Sequence, residues 1–263
     1  MNLGAPMLLF IQALAFWPVW RWYAERTADG SDEPWGILAL ATAAAIVAAR
    51  GRLEAPSAAA TMVCGVLALS YALGFVALPA LVKGGLAALA LACVFSTVSY
   101  GRAMQPAVAG LMLLSLPLLA SLQFFGGFPL RLLTTHLVTI LLATAGWEVE
   151  AEGTLLRWAG EIIAVDAPCA GIKMLWSGLF LNFTLAAWED LSLGATWLRT
   201  SLTMFCVFVG NVFRATALFF TESGIVAAPE FMHQGIGVAA FTGVALAVFF
   251  IHGHQPRHRP CAS

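Results

Sequence analysis

The stretch WLRTSLTMFCVFVGNVFRATALFF, residues 197–220, carries only two charged side chains, Arg199 and Arg214. A helix of about 20 residues crosses the roughly 30 Å apolar core of a bilayer, so this run is long enough to span it. No water is present there to satisfy backbone N–H and C=O groups, and an isolated segment can do so internally only as a helix. Working outward from it, further apolar runs fall near 4–20, 35–49, 57–82, 84–100, 106–125, 130–146, 170–187 and 234–251. The pattern predicts an all-α protein, a polytopic transmembrane helix bundle of about eight or nine helices. The run at 35–49 is short, and 84–100 follows its predecessor across only Lys83 and Gly84, so one of them can be re-entrant or half-spanning.

Composition agrees: 60% of the residues are hydrophobic and 10% charged, against roughly 45–50% and 25% in soluble domains. The implied partner is the lipid bilayer. A net charge of −1 offers no concentrated basic surface for phosphates, so no nucleic-acid partner is expected. The run from Met1 to Trp20 lacks the basic start and small-residue cleavage site of a signal peptide and reads as a retained first helix.

The apolar pattern breaks between Trp147 and Pro168, where Glu148, Glu150, Glu152, Glu161 and Asp166 face Arg157 alone, a local charge of −4. WEVEAEGTLLRW, residues 147–158, alternates about Gly153 as a short hairpin or an interfacial segment does. Its first three glutamates read as a solvated face rather than a chemical group. The chain thus divides into N-terminal transmembrane helices (1–146), an extracytoplasmic acidic loop or hairpin (147–168), a transmembrane region bearing the candidate chemistry (169–252) and a basic cytoplasmic tail (253–263). Orientation follows from the tail, where Arg257 and Arg259 stand beside His252, His254 and His258 and basic residues mark the cytoplasmic side. Counting back from there puts 222–233 outside, 189–199 inside, 147–168 outside and Arg131 inside. On a nine-helix count Arg50, Arg52 and Arg102 fall outside, against the rule.

Five cysteines, Cys64, Cys93, Cys169, Cys206 and Cys261, show no C-x-x-C spacing and no adjacent histidine pair. Neither a disulfide framework nor a metal site is expected, and no cofactor is called for. Cys64, Cys93 and Cys206 lie in apolar runs, where cysteine packs as a small hydrophobe. Cys169 differs, because it opens a helical run in DAPCAGIKM, residues 166–174. The positive end of a helix dipole favours the thiolate there. Pro168 suits a first turn, and Gly171 permits close approach.

Two further polar features follow: GNVFR (210–214) and FMHQG (231–235). Alternating helix directions bring Cys169, Arg214 and His233 to one outer layer. The triple reads as a nucleophilic site in which His233 is general base and then general acid, and Arg214, permanently charged, stabilises an oxyanion. Asn211 shares a face with Arg214 and either orients it or packs between helices. Asp166 and Gly171 are supporting residues, and Lys173 snorkels to the interface. The competing reading is a small transporter or channel with Arg214 and His233 along a polar path.

The run from Gly146 to Gly243 resembles the exosortase and archaeosortase family of multi-pass membrane proteins. The resemblance rests on GWEVEAEG, on Cys169 in APCAGI, on Asn211-x-x-Arg214, and on His233 opening the last helix. Pro168, and Ala170 where serine is common, mark a divergent branch. The resemblance implies a cysteine protease or transpeptidase of the inner membrane. Its partners would be C-terminally anchored substrate proteins, with a signal of motif, transmembrane helix and basic cluster, and a glycolipid or other amine acceptor.

Overall fold

A computed structural model describes residues 4–28, 30, 35–50, 57–165, 170–227, 229 and 231–253. Cys169 and Asp166, with the tail beyond residue 253, lie outside the described residues. Ten helices and one small sheet are present among those described. In chain order these are α1 (Ala5–Ala15), α2 (Trp17–Ala28), α3 (Trp35–Arg50), α4 (Ala58–Leu73), α5 (Ala80–Tyr100), α6 (Pro106–Leu114) and α7 (Leu119–Thr144). Then come β1 (Glu150–Glu152), β2 (Leu155–Trp158), β3 (Glu161–Ala164), α8 (Ile172–Trp188), α9 (Leu193–Glu222) and α10 (Phe231–Gly253). The protein is an all-α, polytopic membrane protein. By length and composition α5, α7, α9 and α10 can each cross a membrane alone.

Prolines explain where helices and apolar runs part company. The run 4–20 breaks at Phe16, because Pro18 lacks an N–H and its ring would strike the carbonyl four residues back. The boundary expected near 126–129 falls instead at 115–118, ahead of α7, where Pro117 follows the end of α6. Pro129 is carried inside α7, which membrane helices tolerate. Arg131 consequently sits halfway along α7 and not at an inner end.

The chain forms two compact units, Met1–Phe124 with Phe183–Trp197, and Phe125–Asn182 with Leu198–Ser263. In the first, α5 is buried on most sides, largely through small residues that include Ala87, Ala88, Ala90 and Ala92. Close backbone approach replaces large side chains: a Cβ on Gly36 would come within 2.2 Å of the Ser115 carbonyl oxygen. Cys64 and Cys93 are buried free thiols here; Cys93 donates to the Ala60 carbonyl, as packing cysteines do.

Arginines of this unit grip the turn between α8 and α9. Arg50 donates to the carbonyls of Ala187 and Trp188, each at 2.9 Å, and stacks over the Tyr100 ring. The Tyr100 hydroxyl donates to the Ala187 carbonyl as well. The end of α8 thereby gains the positive charge its dipole favours. Asp190, held at φ 56°, takes Arg102 at 3.0 Å and Gln105 Nε2 at 3.2 Å. Arg50 and Arg102 therefore share a membrane face with the 189–199 turn, where the nine-helix count had set them opposite. Nine runs folding as ten helices, some half-length, changes the parity of that count.

In the second unit α8, α9 and α10 pack through glycines. A Cβ on Gly178 would lie 2.7 Å from Val207, and one on Gly210 would lie 2.5 Å from Val244. Beyond the start of α8, α9 continues toward Glu222, and the sheet packs on that projecting end. Val149, Leu156, Ile163 and Val165 bury themselves against Ala215, Leu218 and Phe219 of α9 and Val138 and Leu142 of α7. The hairpin expected about Gly153 is β1–β2, with Glu150 opposite Arg157. A third strand, missed in the sequence, continues the meander in the order β1-β2-β3. Its two-residue turn is Ala159–Gly160, both at positive φ, the conformation that matches strand twist in tight hairpins.

Candidate functional site

Of the sequence-predicted residues, Gly171, Asn211, Arg214 and His233 are described, and they lie toward the sheet end of α8–α10. Chain direction puts them there: Val165 leaves the sheet against α9, residues 166–169 follow, and Ala170 and Gly171 lead into α8. Gly171 is buried at φ 73°, and a Cβ on it would come within 2.8 Å of Asn211 Cγ. Only glycine satisfies both demands. The residue two positions after Cys169 therefore rests on Asn211, one turn before Arg214.

Asn211 is buried, and its Nδ2 reaches Thr134 Oγ1 of α7 at 3.4 Å. It thus joins α7, α9 and the start of α8, the packing role weighed for it in the sequence, beside the one turn that carries Arg214. Arg214 is half-buried. Its Nε lies 3.7 Å from where a Cβ on Gly237 would be, so the side chain rises over α10. His233 stands one turn earlier on α10, about 6 Å along the axis. The structure thus links the Cys169-flanking turn to Arg214 through Asn211, and Arg214 to the His233 helix through Gly237.

His233 does not pair with Arg214. Its Nδ1 meets Glu222 Oε1 at 3.1 Å, a partner on the last turn of α9 that the sequence did not assign to it. Charge and spacing alone could not find it, because the pairing depends on where α10 begins. A cavity of about 320 Å³ runs beside them, lined by every residue of 161–165, by Ala215, Leu218 and Phe219, and by Glu222 and His233. A separate apolar cavity of about 530 Å³ between α9 and α10 is lined by Arg214 and Cys206. Arg214 and His233 thus line different cavities of the two described at this end. Among the described residues no cluster of metal-ligating side chains exists.

With this geometry in view, comparison with protein families is informative. The transmembrane exosortase model (Exosortase_EpsH) matches residues 4–251. The chain belongs to that family. It is accordingly a membrane-embedded enzyme of protein sorting, and the match spans both compact units of this exosortase. Neither curated proteins nor solved structures return a match.

A second polar cluster of this exosortase lies at the opposite end of the same three helices. Arg199 Nη1 donates to His252 Nδ1 at 2.9 Å. An arginine cannot accept, so the imidazole proton sits on Nε2 and is donated to Asn182 Oδ1 at 3.1 Å. Asn182 Nδ2 donates in turn to Thr200 Oγ1 at 3.0 Å. All four residues are buried. His252 had been read as part of the basic tail; it is a helix-locking residue inside the unit.

Proposed function

We propose that this exosortase is a cysteine protease or transpeptidase that cleaves proteins carrying a C-terminal signal of motif, transmembrane helix and basic cluster. The observation that carries the reading is the seating of Gly171 on Asn211, one helical turn from Arg214. The Cys169 thiolate attacks the scissile carbonyl carbon, forming the C–S bond, and Arg214 neutralises the oxyanion. The C–N bond then breaks as His233 gives its proton to the departing amine. An amine, such as that of a glycolipid, or water attacks the thioester next and gives its proton to His233, and the C–S bond breaks to regenerate the thiolate. Glu222 holds His233 Nδ1 and so leaves Nε2 for proton transfer. Asp166, three residues before Cys169 in sequence, is the supporting carboxylate on this reading. Asn211 fixes the start of α8.

Charge asymmetry supports the orientation. Arg50 and Arg102 hold the α8–α9 turn and Arg199 follows that turn on α9 in sequence, whereas Glu148, Glu150, Glu152 and Glu161 lie on the sheet and its approach. By the positive-inside rule the turn and the C-terminus are cytoplasmic, and the sheet and site face outward across the inner membrane. The test is a reporter protein ending in a tripartite signal taken from a protein of the same cell, co-expressed with wild type, Cys169→Ala or Cys169→Ser. The reading requires loss of processing in both variants at normal membrane levels. Processing at the wild-type rate in either one contradicts it.

A further inference from the structure

Strand β3 is an edge strand among the described residues, and all four of its residues line the cavity that His233 also lines. Antiparallel pairs alternate between bonded and non-bonded partners. The Val165 N–H donates to the Thr154 carbonyl at 3.0 Å, which sets the phase. Ile163 therefore bonds Leu156, and the N–H and C=O of Ile162 and Ala164 point away from β2. Both residues are exposed. The 320 Å³ cavity is lined by residues 161–165, by Leu156 of β2 and by Ala215, Leu218 and Phe219 of α9.

We propose that this edge binds the substrate's motif segment as an added antiparallel or parallel fourth strand. The inference rests on the proteolytic reading above and adds to it the mode of recognition. An extended peptide offers donors and acceptors at the strand repeat that Ile162 and Ala164 present, and alternate side chains of the added strand meet the apolar wall of α9. Charge selects the same occupant. Glu161 and Glu222 outnumber His233 around the cavity, which disfavours an anionic alternative such as a lipid phosphate. In sequence the proposed nucleophile, Cys169, follows Val165 by only four residues. Edge strands left open are templates for pairing; here the opening leads to the candidate site.

Proline provides the test, because at an outward-facing edge position it removes one donor without touching the ladder. Ala164→Pro should lower processing of the tripartite-signal reporter about tenfold, the scale of one lost hydrogen bond. Ala151→Pro, the matched position on the outer edge of β1, should leave processing unchanged. A photo-crosslinking residue at position 162, in a Cys169→Ala background that holds the reporter uncleaved, should capture the reporter's motif segment. The same probe at position 150 should not. Wild-type processing by Ala164→Pro, or no reporter adduct from position 162, overturns the proposal. Continued cleavage by Cys169→Ala alone would instead overturn the cysteine mechanism and leave the docking edge standing on its adduct.

Discussion

The two ends of the α8–α10 bundle are built from the same residue types and solve opposite problems. At one end Arg199, His252, Asn182 and Thr200 are buried and bonded to one another. At the other, Asn211 is buried while Arg214 is half-buried and His233 and Glu222 are exposed beside a cavity. A closed polar network locks helices, since every donor finds its acceptor and rupture leaves buried groups unsatisfied. An open one keeps groups in reach of something that arrives. An arginine and a histidine on membrane helices are thus insufficient to mark a site; what separates the two ends is the presence of space beside them.

The comparison breaks if the ends respond alike to mutation. The largest effect is expected from Arg214→Lys, which keeps charge but loses the guanidinium's fixed fork; processing should fall roughly 100-fold, with membrane level unchanged on immunoblots. Gly171→Ala forces a methyl against Asn211 at a left-handed backbone position and should cost about 1–3 kcal/mol of stability, lowering both the thermal midpoint and activity. At the closed end, Asn182→Ala should cost a similar 1–3 kcal/mol, read in detergent unfolding, while processing per folded molecule stays at the wild-type value. Glu222→Gln should lower kcat several-fold with KM nearly constant, and Glu222→Asp should recover part of the loss, because the carboxylate acts through His233. Smallest of all, Arg157→Ala removes an exposed pair with Glu152 and should shift stability by less than about 0.5 kcal/mol.

Much of this contrast was legible in the sequence on one side only. Arg214, Asn211 and His233 stood out because each is a polar residue on or opening an apolar run, and helix alternation alone put them at one end. Gly171 declared itself through its place two residues after a cysteine at a helix start. What escaped were features set by helix ends and register. Glu222 meets His233 only because α9 runs to 222 and α10 starts at 231. His252 looked like part of a basic tail because periodicity could not place the end of α10 past it. Strand β3 was hidden because four residues, two of them isoleucine, carry too short an alternation to separate from a loop. Prolines misled the helix boundaries in both directions: Pro18 broke a run that looked continuous, and Pro129 failed to break one that looked divided.

The central claim is that Cys169 is an activated, outward-facing nucleophile. It is tested most directly by labelling sealed membranes with an impermeant thiol reagent, comparing wild type, Cys169→Ala and His233→Ala in a background lacking Cys206 and Cys261. The account predicts Cys169-dependent labelling that is faster than a free thiol's, persists below the ordinary thiol range near pH 8.5, and slows when His233 is removed. Labelling no faster than an ordinary thiol, or none while the protein is folded, would make Cys169 a packing residue and contradict the account.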